Sequence, residues 1–186
     1  MLRKEMTKAE IEKELSGKGD YVLIDNMTRF LKENLPLDIK KFVYIKLVEV
    51  YERRGMFADA GAVYDKLIEL SLNPTERATY RTKATECYIK SGFYDKADLS
   101  MKNLSSEAKL SERTKINSSM KEFYKSQAQQ YEKEKRRARA IQAYQKLLTL
   151  NLLDVEKDEI NRKLLTLYRE TGMIKEFMEM QKKVKA

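Results

Sequence analysis

Apolar and polar positions along this chain follow the period of an α-helix. Apolar residues recur three, four and seven positions apart, as in Tyr44, Leu47 and Tyr51, or Tyr124 and Tyr131. Stop signals divide the pattern into ten predicted helices. The first covers Thr7 to Leu15 and ends at Ser16-Gly17-Lys18-Gly19. Asp20 is the predicted N-cap of a second helix reaching Leu35, where Leu35-Pro36 forms a break. Asp38 caps a third helix ending near Gly55, and a fourth runs from Phe57 to Ser71. Asn73-Pro74-Thr75 predicts a turn, with Thr75 capping a fifth helix that Gly92 ends. A sixth runs from Tyr94 to Asn103, and the serine-rich stretch Leu104 to Arg113 predicts a longer connection. A long helix then reaches Lys135. Three more cover Ala138 to Leu150, Val155 to Thr171 and Ile174 to Val184.

The same text recurs along these helices. Tyr51, Tyr88, Tyr131 and Tyr168 are spaced by 37, 43 and 37 residues. A helical neighbour precedes each by four positions: Leu47, Ala84, Gln127 and Leu164. Nine positions after each comes Ala60, Ala97, Ala140 or Phe177, and four further Tyr64, Met101, Tyr144 or Gln181. The small residue predicts close approach of two helices. Glycine stands four positions after three of the tyrosines, at Gly55, Gly92 and Gly172, and Lys135 replaces it at the third. A period of this size is the signature of stacked supersecondary units. The prediction is an all-α, single domain over residues 1–186, with helix hairpins at 38–72, 75–104, 112–150 and 154–185. Residues 1–35 form either a degenerate first hairpin or an N-terminal cap.

The segments Leu47-Val-Glu-Val-Tyr51-Glu-Arg-Arg-Gly55-Met-Phe57-Ala-Asp-Ala60-Gly-Ala-Val-Tyr64 and Gly92-Phe-Tyr94-Asp-Lys-Ala97 resemble the tetratricopeptide repeat (TPR) family. The resemblance covers residues 38 to 186, over periods longer than the family's usual 34 or so. It implies an α-solenoid of about ten helices whose first helices line a concave groove for peptides or helices of other proteins. The groove-facing offsets, nine, six and two positions before each tyrosine, hold Phe42, Ile45 and Glu49, then Thr79, Thr82 and Glu86. In the second half they hold Glu122, Lys125 and Gln129, then Glu159, Arg162 and Thr166. One version of that groove clamps a C-terminal carboxylate with lysine, arginine and asparagine. This set is absent here, so a chaperone-tail receptor is not expected.

Composition narrows the chemistry. With 6 Gly and 2 Pro the chain is too poor in turn formers for an all-β fold. It has no histidine, the commonest general base, and a single cysteine, Cys87, read as a small buried hydrophobe. No Gly-rich phosphate loop or nucleophile elbow is present, so neither an enzyme, a cofactor nor a metal is expected. No apolar run is long enough for a transmembrane helix, and the charged N-terminus leads into no signal-peptide core. A cytoplasmic protein is therefore expected.

The formal charge is +9, and residues 110–150 hold 10 basic and 4 acidic side chains. Five basic residues, Lys133, Lys135, Arg136, Arg137 and Arg139, fall within seven positions where the third hairpin should turn. They form either a solvated helix end or an electrostatic patch. Two functions follow as expectations. One is a non-catalytic adaptor or scaffold that holds another protein in its groove, through Phe42, Ile45, Glu49, Thr79, Thr82, Glu86, Lys125, Gln129 and Arg162. The alternative is an RNA- or ribosome-associated factor docking through the basic run. A homodimer through the last helix is a further expectation. Ile174, Phe177, Met178, Met180 and Val184 either form that contact or pack on Leu164, Leu167 and Tyr168.

Overall fold

The computed structural model of the protein describes residues 2–185, and the side chains of residues 183–185, Val184 among them, lie outside that description. Among the described residues the regular structure is entirely α-helical. The ten helices are α1 Lys8–Leu15, α2 Asp20–Phe30, α3 Leu37–Arg53, α4 Phe57–Glu69, α5 Pro74–Ser91, α6 Tyr94–Glu107, α7 Leu110–Lys133, α8 Arg137–Leu148, α9 Asp154–Thr171 and α10 Ile174–Lys185. The chain divides into two compact units, with the boundary between Leu104 and Ser105.

Local chemistry sets the helix ends, and several differ from the sequence prediction. α1 opens with a capping box: Thr7 Oγ1 accepts from the Glu10 amide at 3.4 Å and Glu10 Oε2 accepts from the Thr7 amide at 2.8 Å. Asp20 is not the cap of α2. Gly19 holds that place, and the Asp20 carboxylate is paired instead with Arg53 of α3. α2 also stops at Phe30, short of Leu35, because turn bonds from Lys32 and Glu33 close it and Leu35 is buried beyond the turn. Asn73, not Thr75, caps α5. Its Oδ1 accepts from the Thr75 and Glu76 amides at 2.8 and 3.4 Å, with Pro74 in the first turn. The serine-rich connection of residues 104–113 is absent. α6 runs on to Glu107, and α7 starts at Leu110 with the Lys109 amide donating to Glu112 at 3.1 Å. The extra residues of the 43-residue interval lengthen α7 to 24 residues against 17 in α3.

In the first unit α2, α3, α4 and α5 pack in chain order. The unit's core includes Ile11 of α1 with Phe30, Val43, Leu47, Tyr64, Leu67 and Tyr88. α6 is tied to α5 by Thr85 Oγ1, which donates to Ser100 Oγ at 2.9 Å, while Ser100 Oγ donates to the Arg81 carbonyl at 3.2 Å. In the second unit α7, α8, α9 and α10 pack in the same sequential way around Tyr124, Tyr131, Tyr144, Leu147 and Leu164. Ala60, Ala97 and Ala140 are fully buried, as the close approach of helices requires. Tyr124 and Tyr131 are core residues too, so they offer no exposed ring for stacking.

Several helix starts and side-chain pairs recur in the two units at an offset of 80 positions. Helices α4, α5 and α6 begin at Phe57, Pro74 and Tyr94, and α8, α9 and α10 at Arg137, Asp154 and Ile174. Lys41 pairs with Glu76 at 2.7 Å, and Lys121 with Glu156 at 3.0 Å. The Tyr88 hydroxyl donates to Asp65 at 2.5 Å, and the Tyr168 hydroxyl accepts from Gln145 at 3.0 Å. Helix starts and these pairs thus recur at a fixed offset, while the packing differs: Gly61 lies against Tyr88 where the second unit has the larger Ile141.

Cys87 belongs to the first unit's core. Its Sγ lies 3.7 Å from Glu52 Oε1, which also accepts from the Tyr64 hydroxyl at 3.0 Å. Burial, with Glu52 and Glu86 adding to it, pushes the thiol up to about 12. The thiolate is the reactive form, so an aromatic disulfide reagent should leave Cys87 untouched in native protein at about pH 8 and titrate one thiol after denaturation. A native reaction as fast as the denatured one would contradict this packing.

Candidate functional site

The basic run of residues 133–139 lies at the turn between α7 and α8. α7 ends at Lys133. The Lys135 amide donates to the Glu132 carbonyl at 2.9 Å and the Arg136 amide to the Tyr131 carbonyl at 2.8 Å. These bonds reverse the chain and place Lys135 at φ 58, while Gly55 takes φ 69 at the corresponding place in the first unit. Among the described residues Lys135 is the only non-glycine with positive φ. The sequence does not decide between a turn near Lys135 and one continuous helix; the chain turns there, with a lysine in the left-handed conformation that suits glycine.

Arg136 and Arg139 fold back over the Tyr131 ring, with their guanidinium carbons 5.5 and 5.9 Å from its centroid. Arg136 also pairs with Glu134 at 3.1 Å. Hydrogen bonds from Gln130 and Arg136 hold the Glu134 carboxyl below the usual carboxylate range. Arg137 points the other way: its Nε donates to Glu170 of α9 at 2.7 Å.

That contact closes one side of a pocket of about 440 Å³. Glu132 comes from the end of α7, Lys135 from the turn and Arg137 from the start of α8. One face of α9 supplies Arg162, Lys163, Thr166, Leu167 and Glu170, at the three- and four-residue spacings that align side chains on a helix. Two cations are matched within the pocket, Arg137 by Glu170 and Lys163 by Glu132 at 3.4 Å. Lys135 and Arg162 have no acidic group within ion-pair distance among the described residues. The pocket thus carries four basic and two acidic side chains, with the excess on Lys135 and Arg162. Beneath it the Tyr144 ring lies 5.7 Å from Lys163 Nζ. The Tyr144 hydroxyl feels the Glu132 carboxylate without a well-aligned hydrogen bond to it. Burial first, then Glu132, raises its pKa and keeps the phenol neutral.

The corresponding place in the first unit has different chemistry. There Gly55, Phe57 and Thr82 stand for Lys135, Arg137 and Arg162. Lys90 stands for Glu170; it pairs with Glu86 at 2.7 Å and lies 5.1 Å from the Phe57 centroid. Two lysines and two glutamates balance at that position, so the charge excess belongs to the second unit alone.

The predicted groove residues fare unequally. Phe42 is half-buried under Lys46, which also reaches Glu12 at 2.6 Å and Glu49 at 3.8 Å. The Thr79 and Thr82 hydroxyls donate to carbonyls of their own helix, both at 2.9 Å, and Glu86 is held by Lys90. Ile45 and Gln129 are half-buried, and Lys125 pairs with Glu159 at 3.5 Å. Only Arg162 of this set reaches the pocket, where it joins Lys135 and Arg137 of the basic run. Lys133, Arg136 and Arg139 are exposed outside the lining. Sequence reasoning missed Glu132, Lys163, Leu167 and Glu170 as site residues. For Lys163, Leu167 and Glu170 the signal is their spacing along α9, five and one positions before Tyr168 and two after it; Glu132 sits at the end of α7, one position after Tyr131.

On α10, Ile174 and Met178 are 69% and 58% exposed, while Phe177 and Met180 are half-buried. Among the described residues no group of histidine, cysteine or carboxylate side chains is placed to hold a metal ion. No helix there is long and apolar enough to cross a membrane. No family model matches the chain, and no curated protein matches it.

Proposed function

We propose that this chain is a non-catalytic, cytoplasmic protein-binding adaptor, a TPR-like solenoid of helix hairpins that receives a partner protein on its helical faces. The observation that carries this reading is the pocket between α7, α8 and α9, with Lys135 and Arg162 uncompensated on a scaffold used twice in one chain. A helical scaffold that presents two chemically different versions of one surface suits selective binding. The resemblance of Leu47 to Tyr64 and Gly92 to Ala97 to tetratricopeptide repeats supports the same class of function.

A second reading, association with RNA or the ribosome, draws on the exposed Lys133, Arg136 and Arg139 beside the pocket. Sedimentation of the native protein in lysate on a sucrose gradient separates the two. The adaptor reading expects migration heavier than the free chain, unchanged by nuclease. Co-migration with ribosomal particles that nuclease abolishes overturns it in favour of RNA association. Migration as the free chain under all conditions overturns it outright.

A further inference from the structure

The geometry points to an acidic peptide segment as the ligand of the α7–α8–α9 pocket; this inference rests on the protein-binding reading above. Three observations converge on it. The lining holds two more cations than carboxylates, and the excess sits on Lys135 of the α7–α8 turn and Arg162 of α9. The corresponding place in the first unit is balanced: Lys135, Arg137, Arg162 and Thr166 stand where the first unit has Gly55, Phe57, Thr82 and Glu86, and Glu170 for Lys90 offsets part of the difference. Lys135 also occupies a left-handed backbone position at φ 58, which glycine fills without strain in the first unit. A lysine at this strained position, lining a concave site and lacking a counter-charge, leaves its ammonium available to an external anion.

The walls discriminate between anions. Glu132 and Glu170, paired with Lys163 and Arg137, stand in the lining, and a phosphodiester backbone carries no N–H donor to offer them. To a peptide the same carboxylates offer acceptors for backbone N–H groups, while Lys135 and Arg162 take its aspartate or glutamate side chains. Arg162 is the better anchor, because a guanidinium binds a carboxylate through two parallel hydrogen bonds. Leu167 gives the floor an apolar contact for the peptide stem. A volume of about 440 Å³ admits a few side chains and does not admit a folded domain.

The test uses the full chain with two fluorescein-labelled probes, a hexaglutamate peptide and a hexauridylate RNA, followed by anisotropy at about 50 mM salt. Hexaglutamate should bind, and Arg162→Gln and Lys135→Gly should each weaken it about tenfold, the scale of one charge-assisted hydrogen bond. Lys115→Gln removes one charge from an exposed site on α7 outside the pocket and should change affinity less than about twofold. Equal losses in all three variants would mean general attraction to a basic protein and overturn the assignment. Hexauridylate binding more tightly than hexaglutamate and being the probe lost in Arg162→Gln would overturn it in favour of a nucleic acid. No hexaglutamate binding up to about 1 mM would overturn the acidic ligand alone, since the adaptor reading is decided by the gradient.

Discussion

Replacing Gly61 by isoleucine should destabilise the first unit by about 3 kcal/mol, read as a lower urea midpoint in circular dichroism. Isoleucine is what the second unit carries at the corresponding position, Ile141, where it is buried. In the first unit a Cβ at residue 61 falls 2.7 Å from Tyr88 Cε1 and 3.0 Å from Cδ1 and Cζ. The ring has little room to yield. Tyr88 is buried, its hydroxyl donates to Asp65 at 2.5 Å, and Lys96 Nζ lies 5.3 Å from its centroid. Overpacking a fixed ring costs more than the better helix propensity of the larger residue returns. Gly61→Ala should lose less, because one carbon needs a smaller shift of the ring. A loss below about 1 kcal/mol for Gly61→Ile would mean that Tyr88 swings aside and that its bond to Asp65 does not hold it.

This close approach shows where the sequence stops being informative. The buried alanines, Tyr124 and Tyr131 were legible from helical spacing, which also puts Tyr44, Leu47 and Tyr51 on one face, although of these only Leu47 is buried and the two tyrosines are half-buried. The ten helices followed from the same period. Caps were less legible: Asn73 and Thr75 are both good cap residues, and the choice rests on which side chain reaches the free amides of the first turn. The connection at residues 104–113 was misread because serine is common in loops and also tolerable on solvated helix faces, as at Ser111. The pairing of Lys41 with Glu76 and Lys121 with Glu156 depends on how neighbouring helices lie, which spacing within a helix does not encode. For the same reason the basic run and the Arg162 position stood as separate candidates. Packing of α8 against α9 brings them to one pocket, with Glu132 and Glu170 neutralising half of its cations.

Replacing Lys135 by glycine should make the protein more stable by about 1 kcal/mol while weakening its hold on acidic peptide. Both effects come from one side chain: its Cβ carries the strain and its ammonium holds the ligand. The Cβ of a non-glycine residue at φ 58 crowds the backbone, a cost that Gly55 avoids at φ 69 in the first unit. Glycine returns part of the gain, because it frees the unfolded chain more than lysine does, so the expected figure lies at the low end of the strain range. No ion pair is lost in the exchange, since Lys135 has none among the described residues. A variant that is stabler in urea yet weaker for hexaglutamate separates the fold's requirement from the ligand's, which a residue needed only for packing does not do. Unchanged or lower stability would show that the lysine stem contributes packing worth at least the strain. Higher stability with unchanged peptide affinity would leave Arg162 as the pocket's only anchor and remove the reason for a strained lysine at this turn.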